Sequence, residues 1–195
     1  MGKIVILMGP SSCGKDTLKY KLLKQNIFDL KEIKLHTTRP KRSNEKDGVE
    51  YYFDTEKQMR EYEENKSIIE RRCYQTEYGP WYYYTTDKNI NLKNHNYITL
   101  NTLEGYDSYL KHYQKEEIIS CLIELEEGLR LERALQREKQ NKNPKYDELC
   151  RRFLADKKDF SEEELARRMI DYRINNNGSI EESVKEINKI LKKEL

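Results

Sequence analysis

The sequence predicts an α/β protein: a parallel-sheet core with helices on both faces, an inserted mixed α/β lobe and a helical lid. Three observations predict it. The unbroken aliphatic run Ile4-Val5-Ile6-Leu7-Met8 ends in Gly9-Pro10 and reads as a strand buried on both faces, hence the central strand of a parallel sheet. From Asp16 the apolar period becomes helical, with Leu18, Leu22 and Leu23 on one face among Lys and Gln. After Tyr97, strand-like and helix-like segments alternate in βαβ fashion, whereas those between about 35 and 86 crowd together like an inserted antiparallel lobe.

Further strands are expected at Glu32 to Thr37, Tyr51 to Phe53, Ile68 to Tyr74, Trp81 to Thr85, Tyr97 to Asn101, Ile118 to Leu125 and Tyr172 to Ile174, all rich in β-branched or aromatic residues. Glu126 to Phe160 is dense in Arg, Lys and Glu and is interrupted near Asn141 to Pro144, which predicts two charged helices with a turn. Val184, Ile187, Ile190 and Leu191 then fall at helical spacing, so Ile180 to Leu195 reads as a docked amphipathic helix. The division that follows assigns 1–34 and 87–195 to the core, with 127–160 as its lid, and 35–86 to the inserted lobe.

The 195 residues suit one compact core carrying small mobile parts. Lys+Arg number 37 against 35 Asp+Glu, a net +2 that supplies no strong field for nucleic acid or a membrane surface. Cys13, Cys73, Cys121 and Cys150 are scattered without a CxxC pair and read as reduced thiols rather than a zinc site or disulfide framework. The first apolar run is too short for a signal segment. These features predict a cytoplasmic monomer or homodimer that binds neither nucleic acid nor membrane. His36, His95 and His112 lack metal-ligand spacing, and no Ser/His/Asp set suggests hydrolysis.

Gly9-Pro10-Ser11-Ser12-Cys13-Gly14-Lys15 matches the GxxxxGK part of a P-loop, in which small residues let successive backbone N–H groups curl around phosphate oxygens. Its context is strand, turn, helix, and a helix N-terminus favours anions. Gly9, Ser11, Ser12, Cys13 and Gly14 are therefore candidate ATP contacts, with Lys15 neutralising the β- and γ-phosphates. Asp16 stands where Ser or Thr normally reaches Mg²⁺. It either holds the metal through oxygen or water or caps the helix, and Thr17 is the rival ligand.

Beyond the P-loop helix lies TTRPKRSNEKDGVEYYF, Thr37 to Phe53. Arg39 and Arg42 can clamp a dianionic phosphate through charge-assisted forks, and Tyr51 can donate a further hydrogen bond. With the preceding loop, this segment resembles the guanylate kinase family, whose acceptor lobe carries TTRxPRxxExxGxxYxF after a GPSGxGK loop. The resemblance implies transfer of phosphate from ATP, with Mg²⁺, to GMP. It also implies that Arg39, Arg42 and Tyr51 hold the GMP phosphate with Glu45 supporting the arginines. Glu70, in Ile68-Ile69-Glu70, would take the guanine N1 and N2 donors, and Tyr83 and Thr85 lie in a segment resembling the family's YYGS/T, with Thr85 donating to O6.

Arg130, Arg133 and Arg137 share a helical face at i, i+3 and i+7, with Arg151-Arg152 on the next helix. By the same resemblance Arg133, Arg137 and Arg152 close over the phosphates as catalytic lid arginines, and Asn175 approaches adenine. The chain departs from the family pattern at several positions. The interval from Glu70 to the tyrosine run is longer, Tyr84 replaces a glycine, Leu35 stands at a usual base-contacting serine, and Thr99 and Asn101 replace an acidic DxD pair. Alternatives are therefore a kinase for ribose 1,5-bisphosphate or another nucleoside monophosphate. A non-catalytic binding module is disfavoured by Lys15, Arg133 and Arg137.

Overall fold

In the computed structural model, which describes residues 1–76 and 78–195, β1 (Ile4–Met8) is the middle strand of a five-stranded parallel sheet and is buried at every residue. The order is β2 (Leu30–Glu32), β7 (Asn96–Asn101), β1, β8 (Ile118–Glu124), β9 (Tyr172–Asn175). Ile4 aligns with Tyr97 on one side and Ile118 on the other. Alternate residues of β1 serve two cores, as the two-residue strand period requires. Val5 and Leu7 pack under α1 (Lys15–Gln25) and α7 (Ile180–Glu194), against Leu18, Leu22, Ile187 and Leu191. Ile4, Ile6 and Met8 face α3 (Leu103–His112), against Leu103, Tyr106 and Tyr109. Each such aliphatic burial contributes about 1.5–3 kcal/mol.

A second, four-stranded sheet occupies the region between β2 and β7, in the order β4 (Tyr52–Phe53), β3 (His36–Thr37), β6 (Gly79–Thr86), β5 (Ile68–Thr76). It is mixed rather than antiparallel throughout, because β3 and β4 pair in parallel while β6 runs against both β3 and β5. The long connection from Thr38 to Tyr51 lets the chain return in the same direction. The single strand expected at Glu32 to Thr37 is two strands in two sheets. The Ile33 amide still bonds the Ile98 carbonyl of the core, whereas the Leu35 carbonyl already accepts from Tyr52 of the second sheet, so the chain changes sheets within three residues.

The charged stretch forms α4 (Glu127–Lys139) and α5 (Tyr146–Asp159), followed by the short α6 (Glu162–Ala166). In the inserted region α2 (Glu56–Glu64) starts at a reciprocal cap between Thr55 and Gln58, and α7 starts at another between Ser179 and Glu182. Among the described residues no helix is long and apolar enough to cross a membrane.

Candidate active site

The turn after β1 is shaped by three left-handed residues, Gly9 (φ 145°), Ser12 (φ 66°) and Gly14 (φ 101°), which fold the backbone into a concave loop. A Cβ on Gly9 would meet the Ile123 carbonyl oxygen at 2.5 Å, and one on Gly14 would meet Asn176 Nδ2 at 2.5 Å, so neighbouring elements demand glycine at both. Gly14 is the N-cap of α1 and no side chain caps the helix, which excludes the capping alternative for Asp16. The leading amides of α1 thus carry the positive end of the helix without a side-chain acceptor. Ser12 Oγ, buried without a hydrogen-bond partner, adds a polar group suited to an anion. Lys15 Nζ lies back across the loop and donates to the carbonyls of Gly9 (2.6 Å) and Pro10 (2.8 Å).

Asn176 locks this loop from behind. Its Nδ2 donates to the Cys13 carbonyl at 2.7 Å, and its Oδ1 accepts from Ser183 Oγ at 2.8 Å. Asn175, the residue singled out from the sequence, is exposed, and its Oδ1 accepts from the Asn177 amide. The two-residue period after buried Ile174 carries the signal that separates them, since it turns Asn175 outward and Asn176 inward.

A cavity of about 370 Å³ joins Ser12, Gly14, Lys15, Asp16 and Thr17 of the loop and α1 to Arg133 and Arg137 of α4. Beside it, a cavity of about 290 Å³ is lined by Ser11, Ser12, Arg130, Arg137, Arg152 and Asp156 among others. Arg137 belongs to both. Arg152 faces the smaller one while its Nε donates to Glu148 Oε1 at 2.6 Å. The hydrogen bonds of Arg151 and Arg152 hold the Glu148 carboxyl down to about 2. Arg130 is buried, its guanidinium 3.8 Å from the Phe153 ring centre. It is therefore not the solvated residue that a charged helix face suggests.

Metal chemistry at the loop is limited to oxygen donors. Asp16 and Thr17 are exposed in the first turn of α1, and Thr99 and Asn101 on β7 add no carboxylate. Among the described residues no group of three His, Cys, Asp or Glu could hold an ion by itself. This donor set fits Mg²⁺, which retains water and takes phosphate oxygens beside one protein ligand.

In the inserted lobe, Arg39 is buried and gripped by Glu45, with Nη1 and Nη2 donating to Oε2 and Oε1 at 3.0 and 2.8 Å. Glu45 also takes the Arg42 amide at 2.8 Å, while the Arg42 side chain is exposed. Hydrogen bonding to Arg39 is the main cause that holds the Glu45 carboxyl below its usual range. Arg39 Nε donates to Tyr83 Oη at 3.2 Å, and Tyr51 and Phe53 pack against the guanidinium. Arg39, Glu45, Tyr51 and Tyr83 thus form one cluster.

A second cluster lies at Glu70, which is buried at the start of β5. Thr85 Oγ1 donates to its Oε1 at 3.3 Å, and Arg72 Nη2 donates to its Oε2 at 3.2 Å. The same Arg72 nitrogen lies 3.4 Å from Asn101 Oδ1. Arg72 is a residue the sequence reading missed, because two-residue alternation along one strand gives no hint of a partner on β7.

A family model described as guanylate kinase matches residues 1–194. The chain belongs to the guanylate kinase family. It is 33% identical over 126 residues to the guanylate kinase of Mesomycoplasma hyopneumoniae, strain 7448, covering 63% of this chain and 62% of that protein. It is also 33% identical over 127 residues to the guanylate kinase of Bacteroides thetaiotaomicron, covering 63% and 59%. The matched segments thus span less than two thirds of these relatives. A crystal structure of guanylate kinase from Anaplasma phagocytophilum superposes with a TM-score of 0.62 at 26% identity, covering 99% of this chain and 86% of the other.

In this guanylate kinase family member a set of hydrogen-bonded side chains lies buried behind Thr85. Tyr84 is fully buried and donates to Asp54 Oδ2 at 2.6 Å. His36 Nδ1 lies 2.6 Å from the same oxygen, and its Nε2 lies 3.2 Å from Thr86 Oγ1. The sequence offered no Ser/His/Asp set, yet Thr86, His36 and Asp54 connect in that manner. Thr86 is 2% exposed, so no substrate reaches its hydroxyl, and the chain of bonds serves to join β3, β6 and the end of β4. Burial together with Asp54 pushes the Tyr84 hydroxyl far above its ordinary range. Leu35 is only partly buried, and the inward side chain beside it is His36.

Proposed function

We propose that this protein transfers the γ-phosphoryl group of ATP to GMP, giving ADP and GDP. The observation that carries the reading is the cavity that places Lys15 of the glycine loop opposite Arg133 and Arg137 of α4. Phosphoryl transfer needs two phosphates in line and positive charge on the equatorial oxygens, and no covalent participant. Backbone amides from Ser11 to Lys15 hold the β- and γ-phosphates, Lys15 neutralises them, and Arg133, Arg137 and Arg152 cover the transferred group. Mg²⁺ bound with ATP, held by phosphate oxygens, water and Asp16 or Thr17, would neutralise further phosphate charge.

The acceptor phosphate binds at Arg39, Arg42, Tyr51 and Tyr83, with Glu45 fixing Arg39 before substrate arrives. Glu70 and Thr85 read the 6-oxopurine edge, and Asn175 borders the adenine end. No general base is required, because the acceptor is already a phosphate anion. Residues 35–86 act as the acceptor lobe and 127–160 as the lid, both closing on the core of 1–34 and 87–195 and excluding water. The setting is the cytoplasm, the protein a monomer or homodimer, and its ligands nucleotides rather than nucleic acid or membrane.

A second reading, another nucleoside monophosphate as acceptor, is favoured by the Arg72 contact, which engages one oxygen of Glu70 that guanine would use. ADP release from MgATP, measured separately with GMP, AMP, CMP, UMP, IMP and ribose 1,5-bisphosphate, separates the readings. Turnover confined to GMP and close analogues supports the first. Turnover with a different acceptor selects the second, and turnover with none overturns both.

A further inference from the structure

Arg130 is 4% exposed, and a buried guanidinium is costly unless an anion faces it. The anion is Asp156 of α5, whose Oδ2 lies 3.6 Å from Arg130 Nη1, too far for a good hydrogen bond. The same oxygen makes its short bond elsewhere. It accepts from the Ser11 backbone N–H of the glycine loop at 2.7 Å, across 145 residues of sequence. One carboxylate oxygen therefore sits between a loop amide and an arginine, the pair of donors that a phosphoryl oxygen takes in such loops.

We propose that Ser11 N–H and Arg130 form a phosphoryl-group subsite, and that Asp156 covers it as an internal phosphate mimic which the nucleotide must displace. The proposal rests on the reading of Gly9–Lys15 as the ATP phosphate loop. Two features support exchange rather than a fixed strut. The smaller loop cavity is lined by Ser11, Arg130, Arg137 and Arg152 together with three carboxylates; Glu138 is engaged by Asn141 and the Lys145 amide and Glu148 by Arg151 and Arg152, which leaves Asp156 as the carboxylate that bonds the loop amide. On its other side Asp156 borders a cavity of about 400 Å³ lined by Lys158 and Arg168 and also by Glu104, Asp159, Glu163 and Glu164, which gives the carboxylate room to withdraw but no net positive charge to hold it there. Arg152 and Asp156 are one turn apart on the same face of α5, so a shift of this helix that withdraws the carboxylate moves Arg152 as well.

Two consequences follow. Nucleotide affinity is lowered by the fraction of molecules in which the carboxylate occupies the subsite, and ATP binding is coupled to the seating of α5. Isothermal titration of MgATP, and separately of inorganic pyrophosphate, into wild type, Asp156→Asn, Asp156→Ala and Asp156→Glu tests this. The Asn and Ala variants are expected to bind both probes about tenfold more tightly, the scale of removing one like charge near a partly exposed phosphate. The Glu variant, which keeps the charge, gains nothing comparable. Hydrogen exchange at the Ser11 amide should quicken in the Asn and Ala variants when no nucleotide is present. Folded Asn and Ala variants that bind as wild type does, or more weakly, overturn the proposal while leaving the phosphate-loop reading intact. Failure of all four proteins, wild type included, to bind either probe overturns the loop reading and this inference with it.

Discussion

Asn176 Nδ2 bonds the Cys13 carbonyl at 2.7 Å, joining the loop after β9 to the loop after β1 across 163 residues of sequence. The same side chain accepts from Ser183 at the start of α7, so three elements meet on one amide. The group is 1% exposed, and water cannot replace it without rearrangement.

Asn176→Ala should therefore destabilise the fold and loosen the loop. Removing one partner of buried polar groups costs about 1–3 kcal/mol: the Cys13 carbonyl loses its side-chain donor, while Ser183 Oγ falls back on its longer bond to the Asn175 carbonyl at 3.3 Å. For a chain of this size each kcal/mol lowers Tm by roughly 2–4 °C. Thermal unfolding should show that fall, and the KM for ATP should rise while the KM for GMP stays put. An unaltered ATP KM in a destabilised variant would reduce Asn176 to a packing residue.

The central strand, the glycine loop and the terminal helix were legible because each is a contiguous pattern whose meaning does not depend on distant residues. Ile4 to Met8 is apolar throughout, Gly9 to Lys15 has fixed spacing, and Val184, Ile187 and Leu191 repeat at helical period. The break between β2 and β3 was not legible. Ile33, Lys34 and Leu35 contain no turn residue, and the chain changes sheets because its amides find partners on β7 and its carbonyls on β4. The Arg72 contact with Glu70, the His36–Asp54 pair and the Asp156 bond to Ser11 escaped for a similar reason: each is a side-chain meeting set by tertiary placement.

Gly105→Ala should reverse the usual sign of a glycine substitution in a helix. Alanine in a helix interior normally gains about 1 kcal/mol over glycine. Here a Cβ on Gly105 would overlap Asn101 Oδ1, the group beside Arg72 and the Glu70 cluster. The substitution should cost roughly 1–3 kcal/mol through overpacking and disturb acceptor binding. In an Asn101→Ala background the same change should become neutral or favourable. Equal effects in both backgrounds, read by denaturant unfolding, would show that the two residues do not oppose one another.

Thiol reactivity should divide the four cysteines in pairs. Cys73 and Cys150 are exposed, whereas Cys13 and Cys121 are buried. Burial pushes the Cys121 thiol up to about 12, and burial also raises Cys13 despite the nearby Lys15 ammonium. A disulfide exchange reagent at pH 8 should titrate two thiols quickly in the native protein and all four after unfolding. Rapid modification of a third native thiol would contradict the buried placement of Cys13 or Cys121.

Acid should dissolve the Arg39–Glu45 fork in a defined window. Because the folded Glu45 carboxyl lies below its ordinary value, its contribution to stability is present above about pH 4.3 and is lost as pH falls through the lower folded value. Glu45→Gln removes the charge at every pH and leaves the buried Arg39 without its carboxylate. At pH 7 the variant should unfold at a lower temperature than wild type and bind GMP more weakly, since Arg39 loses its orientation. As pH falls from about 4.3 through the lower folded value, wild type approaches the same neutral state, so the two unfolding curves should converge. Thermal unfolding of both proteins from pH 7 to pH 3 reads the gap directly. A gap that stays constant across that range would mean that the fork contributes no charge-dependent stability, and that Arg39 is held by its contacts with Tyr51, Phe53 and Tyr83 instead.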